Sequence, residues 1–127
     1  MQSKQGKPVI LIVDDDDLLR YCLGLILQRR EFSIEEAENG KKALEKVQKR
    51  KPDLIILDGI MPVMDGIETA HALKEDSDTK NIPIIFCTGQ CLIELSQTDI
   101  PADAFLSKPF EFPKLYRMIL TILGGKK

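Results

Sequence analysis

The 127-residue chain has no apolar run of membrane-spanning length. No apolar stretch follows Met1-Gln2-Ser3-Lys4 until Val9, and Asp14 ends that one early. Neither a signal peptide nor a membrane span is expected, and a cytoplasmic location follows by elimination. Neither charge sign dominates: 18 Lys and Arg against 20 Asp and Glu leave a net charge of -2. Such a balance gives no reason to expect direct contact with nucleic acid or an anionic membrane. Cysteines are few and odd in number, and Cys22, Cys87 and Cys91 show no metal-type pairing. Cys22 and Cys87 lie in apolar segments and are expected in the core of a protein from a reducing compartment. No repeat or low-complexity segment is visible. The length suits one domain with a real core and is too short for two.

What the chain does have is short apolar runs alternating with helical patterns. The first seven residues are polar and expected to be a loose tail, with the domain spanning 8–125. Val9 to Val13 is an apolar run of strand length, after which Leu19, Cys22, Leu23 and Ile26 recur at the spacing of one helix face, ending near Arg30. Phe32 to Ala37 is a weaker strand; Asn39-Gly40 is turn chemistry, and Ala43, Leu44 and Val47 mark the next helix. Leu54 to Leu57 is the clearest buried strand, and Asp65 can cap a helix carrying Ile67, Ala70 and Leu73. Ile82 to Cys87 and Ala104 to Leu106 are the last two strands. Pro113 opens a final helix faced by Leu115, Met118, Ile119 and Ile122, stopped by Gly124-Gly125.

Five such alternations predict an α/β fold, a doubly wound parallel sheet with helices on both faces. The near-continuously apolar first, third and fourth strands suit the centre, and the second and fifth suit the edges. A strand order of 2-1-3-4-5 satisfies this. It opens a crevice at the carboxyl ends of strands 1 and 3, where such folds place their sites.

Asp58 ends the buried third strand and is followed by Gly59-Ile60-Met61-Pro62 and Met64-Asp65-Gly66. Asp14 and Asp15 end the first strand. Asp16 and Asp17 read as first-turn helix acids favoured by the macrodipole. Three carboxylates crowded at one lip either raise a pKa or demand a cation. Hard oxygen donors suit Mg²⁺ better than zinc, with no Cys or spare His nearby. Asp58 is then a candidate nucleophile toward phosphorus. Lys108, after the fifth strand, can supply compensating charge, and Thr88, after the fourth, a hydroxyl.

With these residues in hand, the chain resembles a response regulator receiver domain of two-component signalling over nearly its whole length. The resemblance rests on Ile12-Val13-Asp14-Asp15, on Asp58 through Gly66, on Ile82 through Thr88, and on Phe105-Leu106-Ser107-Lys108-Pro109-Phe110. It implies a flavodoxin-like fold with five helices. Asp58 is implied as phospho-acceptor, and Asp14, Asp15, Asp58 and the backbone carbonyl of Ile60 as the Mg²⁺ ligands. Thr88 and Lys108 are implied as readers of the phosphoryl group, and Phe105 as a switch aromatic coupled to Thr88. The implied partners are a sensor histidine kinase or phosphotransfer protein and a downstream protein target. The chain would catalyse its own phosphorylation and dephosphorylation rather than act as a conventional enzyme. Ile60 and Gln90 resemble positions that tune dephosphorylation, and only Gln90 carries a side chain able to orient water. His71 reads as a surface residue rather than a phosphorelay histidine, and Met61 and Met64 as packing residues.

The match departs from the family pattern over residues 89–103. Gly89 follows Thr88, Pro101-Ala102 replaces the usual Gly-Ala turn, and Cys91 to Gln97 leaves room for about two helical turns. A short or irregular fourth helix is expected. It falls within the output face, which in the family combines that helix with the fifth strand and the last helix. The chain ends soon after its last helix, so no effector domain is expected. Two other readings stand beside the phospho-accepting switch: a receiver-like module that docks without phosphorylation, and a Mg²⁺-dependent phosphatase with Asp58 as nucleophile. Ile60 stands where such a phosphatase carries its second Asp, which counts against the latter.

Overall fold

The computed structural model describes residues 6–59, 61, 63–89 and 100–124. Five parallel strands form one sheet: β1 (Val9–Val13), β2 (Ser33–Ala37), β3 (Leu54–Asp58), β4 (Ile84–Thr88) and β5 (Ala104–Ser107). Their order is β2-β1-β3-β4-β5, as the apolar content of the strands predicts. β1, β3 and β4 are buried along their whole length, whereas β2 and β5 are largely half-exposed edges. Among the described residues the helices are α1 (Asp17–Gln28), α2 (Gly40–Lys49), α3 (Gly66–Glu75) and α4 (Phe112–Gly124). The helix expected within 89–103 lies outside the described residues, as do Gln90, Cys91 and Gly125, so the last helix carries the label α4. No helix among the described residues is long and apolar enough to cross a membrane.

Alternating side chains divide the core between the two faces of the sheet. Leu11, Val13, Ile55, Leu57, Ile84 and Phe86 pack with Ala43, Val47, Ala70 and Leu73 of α2 and α3. Ile10, Ile12, Leu54, Ile56, Ile85 and Leu106 pack with Leu23, Leu27, Leu115 and Ile119 of α1 and α4. Side-chain acceptors start three of the helices. Asp16 accepts from the Leu19 N–H, Asn39 accepts from the Lys42 N–H, and Asp65 forms a capping box with Glu68.

The structure corrects four local expectations. Strand 4 begins at Ile84 and includes Thr88, leaving Ile82 and Pro83 as a buried lead-in. Asp16 is the N-cap of α1 rather than a first-turn acid. α1 ends close to where expected, with Arg29 as its C-cap, but it buries Leu23, Gly24 and Leu27, not the face through Cys22 and Ile26. Cys22 is therefore exposed, while Cys87 is buried as expected. The reason is compositional: α1 is apolar on more than one side, so periodicity admits two faces. Gly24 lies on the inward face, where a Cβ would make an ordinary van der Waals contact with Ile34 at 3.5 Å. At its end, Arg30 stacks over Phe112 and Tyr116 of α4, 5.5 and 4.9 Å from the ring centroids.

Candidate functional site

β1 and β3 are neighbours with Val13 beside Leu57, so the next residues, Asp14 and Asp58, emerge side by side at the carboxyl edge. Both are nearly inaccessible, at 5% and 6% exposure. Asp15 is exposed, and ligand oxygens of the three carboxylates lie within 4.8 Å of one another. Lys108 follows β5 and reaches across this edge. Its ammonium donates to Asp14 Oδ2 at 2.8 Å and stands 3.3 Å from Asp58 Oδ1. Alternation explains the convergence. Asp14, Asp58 and Lys108 continue the parity of Ile12, Ile56 and Leu106, all on the α1/α4 face.

Backbone contacts hold these groups in place. The Asp16 N–H donates to Asp14 Oδ1 at 2.9 Å, the Gly59 N–H to the Cys87 carbonyl at 2.8 Å, and the Lys108 N–H to the Thr88 carbonyl at 2.7 Å. The Lys108-Pro109 peptide is cis. Gly66 seats the start of α3 against the site; a Cβ there would stand 2.1 Å from the Asp58 carbonyl oxygen. Thr88 is fully buried at the end of β4. Phe105 packs edge-on against Phe86 with centroids 5.9 Å apart, and pairing of Phe86 with Phe105 and Thr88 with Ser107 puts Phe105 and Thr88 on one face. That is the α2/α3 face, opposite Lys108.

Burial of Lys108 alone would lower its pKa, but the hydrogen bond and charge of Asp14, with the charge of Asp58, outweigh it and hold the pKa above normal. Lys108 is thus an ammonium at neutral pH. Cys87, beside Asp58 on the neighbouring strand β4, is pushed up to about 12 by burial and stays a neutral thiol at neutral pH. Three carboxylates against one ammonium leave a site with an excess of two negative charges, all on hard oxygen donors. That donor set fits a divalent Mg²⁺-type cation. The Ile60 carbonyl and Pro62 lie outside the described residues.

Arg20 was not singled out from the sequence. It donates to the Asp14 carbonyl, to Asp17 at 2.7 Å and to Glu36 at 3.0 Å, tying α1 and β2 to the acidic edge. Burial lowers its pKa, but the hydrogen bonds it donates to Asp17 and Glu36, with their negative charge, more than reverse this. Only the i,i+3 spacing from Asp17 hinted at the pairing. A neighbouring cleft of about 380 Å³ is lined by Asp16, Leu19, Lys108, Pro109 and Phe110. His71 is half-exposed on α3, 3.9 Å from Glu75 and remote from these residues in sequence.

With this geometry established, the relatives are informative. A family model for the response regulator receiver domain matches residues 10–120. Chemotaxis protein CheY of Halobacterium salinarum is 36% identical over 115 residues, covering 90% of this chain and 95% of that protein. Histidine kinase P4 of Formosa agariphila is 37% identical over 98% of this chain but only 9% of its own length. The phosphate regulon regulator PhoB of Pseudomonas aeruginosa is 37% identical over 90% of this chain and 51% of its own. This chain thus spans about a tenth of the first of those last two relatives and about half of the second. Among solved structures, the receiver domain of a Syntrophus aciditrophicus signal transduction histidine kinase superposes with a TM-score of 0.89 at 32% identity, covering 94% of this chain and 92% of that one. TrrA of Thermotoga maritima, solved in complex with Mg²⁺ and BeF, gives 0.81 at 32% identity, covering 91% and 98%.

Proposed function

Because this chain belongs to the response regulator receiver domain family, we propose that it is a phospho-accepting signalling switch whose acceptor is Asp58. One observation carries the reading. A nearly inaccessible strand-end carboxylate lies among two further acids and has an ammonium at 3.3 Å. In a structural ion pair one cation would answer one acid. Here the negative charge is in excess, which suits a site that binds a divalent cation together with a phosphoryl group.

In this proposal an Asp58 carboxylate oxygen attacks the phosphorus of a phosphohistidine on a sensor histidine kinase or phosphotransfer protein in the cytoplasm. An O–P bond forms as the N–P bond breaks, and the imidazole leaves with the electron pair and takes up a proton. Asp14, Asp15, Asp58 and the Ile60 carbonyl would hold Mg²⁺, which supplies charge neutralisation for phosphoryl oxygens when bound. Lys108 needs only a short displacement from Asp58 to meet a phosphoryl oxygen, and Thr88 offers a hydroxyl from the adjoining strand end. Loss of the phosphoryl group by hydrolysis would be catalysed by the same chain.

The new group brings about 1.5 to 2 negative charges. Drawing Lys108 and Thr88 toward it alters the packing beside Phe105, and with it the face formed by β5 and α4, which a downstream protein reads. Carrying that face from mostly inactive to mostly active takes a differential of about 5.5 kcal/mol. The test is exposure to a small acyl phosphate with Mg²⁺, read by intact mass. One phosphoryl group should be gained, and it should be lost with Asp58→Asn or excess chelator. Labelling that persists in Asp58→Asn refutes the acceptor assignment. A folded chain that neither binds Mg²⁺ nor takes label would favour docking without phosphorylation.

A further inference from the structure

Arg20 divides its guanidinium among three acceptors on three parts of the chain. Nη1 donates to the Asp14 carbonyl, Nη2 to Asp17 Oδ1 at 2.7 Å and Nε to Glu36 Oε1 at 3.0 Å. Its side chain is only 13% exposed. A planar fork with donors fixed in different directions can serve all three at once, and a single ammonium cannot.

The fold brings these groups together. Asp16 caps α1, so Arg20 lies one turn in, and side chains of a helix lean toward its N-terminus. That lean carries the guanidinium back over the turn between β1 and α1. Glu36 pairs with Ile12 in the register of β2 on β1 and so shares the α1 face of the sheet.

The decisive acceptor is the Asp14 carbonyl. Asp14 is held at each of its other polar atoms. Its N–H donates to the Ala37 carbonyl at 3.1 Å, Oδ1 accepts from the Asp16 N–H, and Oδ2 accepts from Lys108. Arg20 completes the set. The Asp14 carbonyl and the Asp15 N–H belong to one planar unit, so holding that carbonyl also fixes the direction in which Asp15 leaves the strand. Asp15 is the exposed member of the acid trio, where packing guides a side chain least.

We propose that Arg20 is a positioning residue for the cation site: through the Asp14 carbonyl it holds Asp15 at the spacing from Asp14 and Asp58 that a small divalent cation needs. The inference rests on the reading of these three carboxylates as a Mg²⁺ site. It also gives Arg20 a part in selectivity. Mg²⁺ demands oxygens near octahedral positions and Ca²⁺ accepts irregular ones, so a site held stiffly favours Mg²⁺. Charge alone would act in the opposite sense, because a guanidinium beside the acids repels a divalent cation.

The test titrates the thermal midpoint of the full chain, followed by circular dichroism, with Mg²⁺ and separately with Ca²⁺. A ligand of the folded state raises the midpoint according to its affinity, and the metal-free melt confirms that each variant folds. Arg20→Lys keeps the charge and loses the fork. It should weaken Mg²⁺ binding about three- to tenfold, less than the loss of a contact made directly to a ligand side chain, because Arg20 acts through the backbone. Ca²⁺ binding should weaken by less than about twofold. Arg20→Gln combined with Glu36→Gln leaves the local net charge unchanged and should weaken Mg²⁺ binding in the same way. Labelling of Arg20→Lys by acyl phosphate should need more Mg²⁺ for half its maximal rate, yet approach the parent rate at saturation. Variants that bind Mg²⁺ as well as the parent, or better, overturn the inference. So does an equal loss for both ions, which marks Arg20 as a structural pin alone. A parent chain whose midpoint neither ion moves overturns the Mg²⁺ reading of the site, and this inference with it.

Discussion

Replacing Lys108 with alanine tests the electrostatic account of the site most directly. Its ammonium lies 2.8 Å from Asp14 and 3.3 Å from Asp58, and both carboxylates are buried to within a few per cent of full inaccessibility. At an effective dielectric constant of about 20, each contact is worth about 5 to 6 kcal/mol of direct attraction. Most of that is offset by desolvation, and breaking a buried pair from one side costs about 3–5 kcal/mol. A quarter of the Lys108 side chain remains exposed, which lowers the expectation to about 2–3 kcal/mol at neutral pH without Mg²⁺. The cost arises because Asp14 and Asp58 are left facing one another with no cation between them. Two corollaries sharpen it. The loss should shrink when Mg²⁺ is added, because a divalent cation relieves the same repulsion. It should also shrink in the Asp58→Asn background, giving a coupling of about 1–2 kcal/mol in a double-mutant cycle. Urea unfolding followed by circular dichroism, with and without Mg²⁺, measures all of these. A Lys108→Ala chain as stable as the parent in the absence of Mg²⁺ would show that Lys108 does not neutralise these carboxylates.

Other perturbations read other parts of the structure. Gly66→Ala forces a Cβ to within 2.1 Å of the Asp58 carbonyl oxygen, so a loss of about 1–3 kcal/mol in chemical denaturation is expected, together with slower labelling of Asp58 by acyl phosphate. Val63 is 77% exposed with φ 70, a conformation that β-branched residues rarely adopt. Val63→Gly should therefore raise stability by about 0.5–1 kcal/mol in a thermal melt, the relieved strain exceeding the added chain entropy of glycine. In alkali the Cys87 thiol ionises more readily unfolded, near its ordinary 9.0, than folded, at about 12. Its contribution is thus intact below pH 9 and lost as pH rises from 9 toward 12, at most about 4 kcal/mol. Lys108, raised above 10.5, likewise contributes fully below 10.5 and loses its contribution as pH climbs through its folded value. Cys87→Ala should flatten the pH 9 to 12 part of a stability profile; an unchanged slope refutes the Cys87 account.

Much of the fold was legible because burial writes itself into composition. Ile10 to Val13, Leu54 to Leu57 and Ile84 to Cys87 are apolar at every position, since central parallel strands are covered on both faces. Glu35 and Glu36 mark β2 as an edge for the opposite reason. Asp14, Asp58 and Lys108 were visible as charges placed where such strands stop. The face of α1 was misread through Cys22 and Ile26 because its apolar residues outnumber the positions the core can accept. Arg20 escaped notice because its partners, Glu36 and the Asp14 carbonyl, lie on neighbouring elements.

By itself, the sequence determined the strand and helix alternation, the central and edge strands, and which carboxylates and which lysine terminate strands. Those are consequences of local polarity and chain order, and they need no coordinates. Only the tertiary structure decided what meets what. Parallel register set Asp14 beside Asp58, and the return of β5 brought Lys108 to within 3.3 Å of Asp58 from 50 residues away in the chain. Packing of Leu23 and Leu27 against the sheet left Leu18, Tyr21 and Cys22 exposed to solvent rather than in the core. Distances between elements depend on how whole faces pack, and no window of sequence contains both sides of that contact.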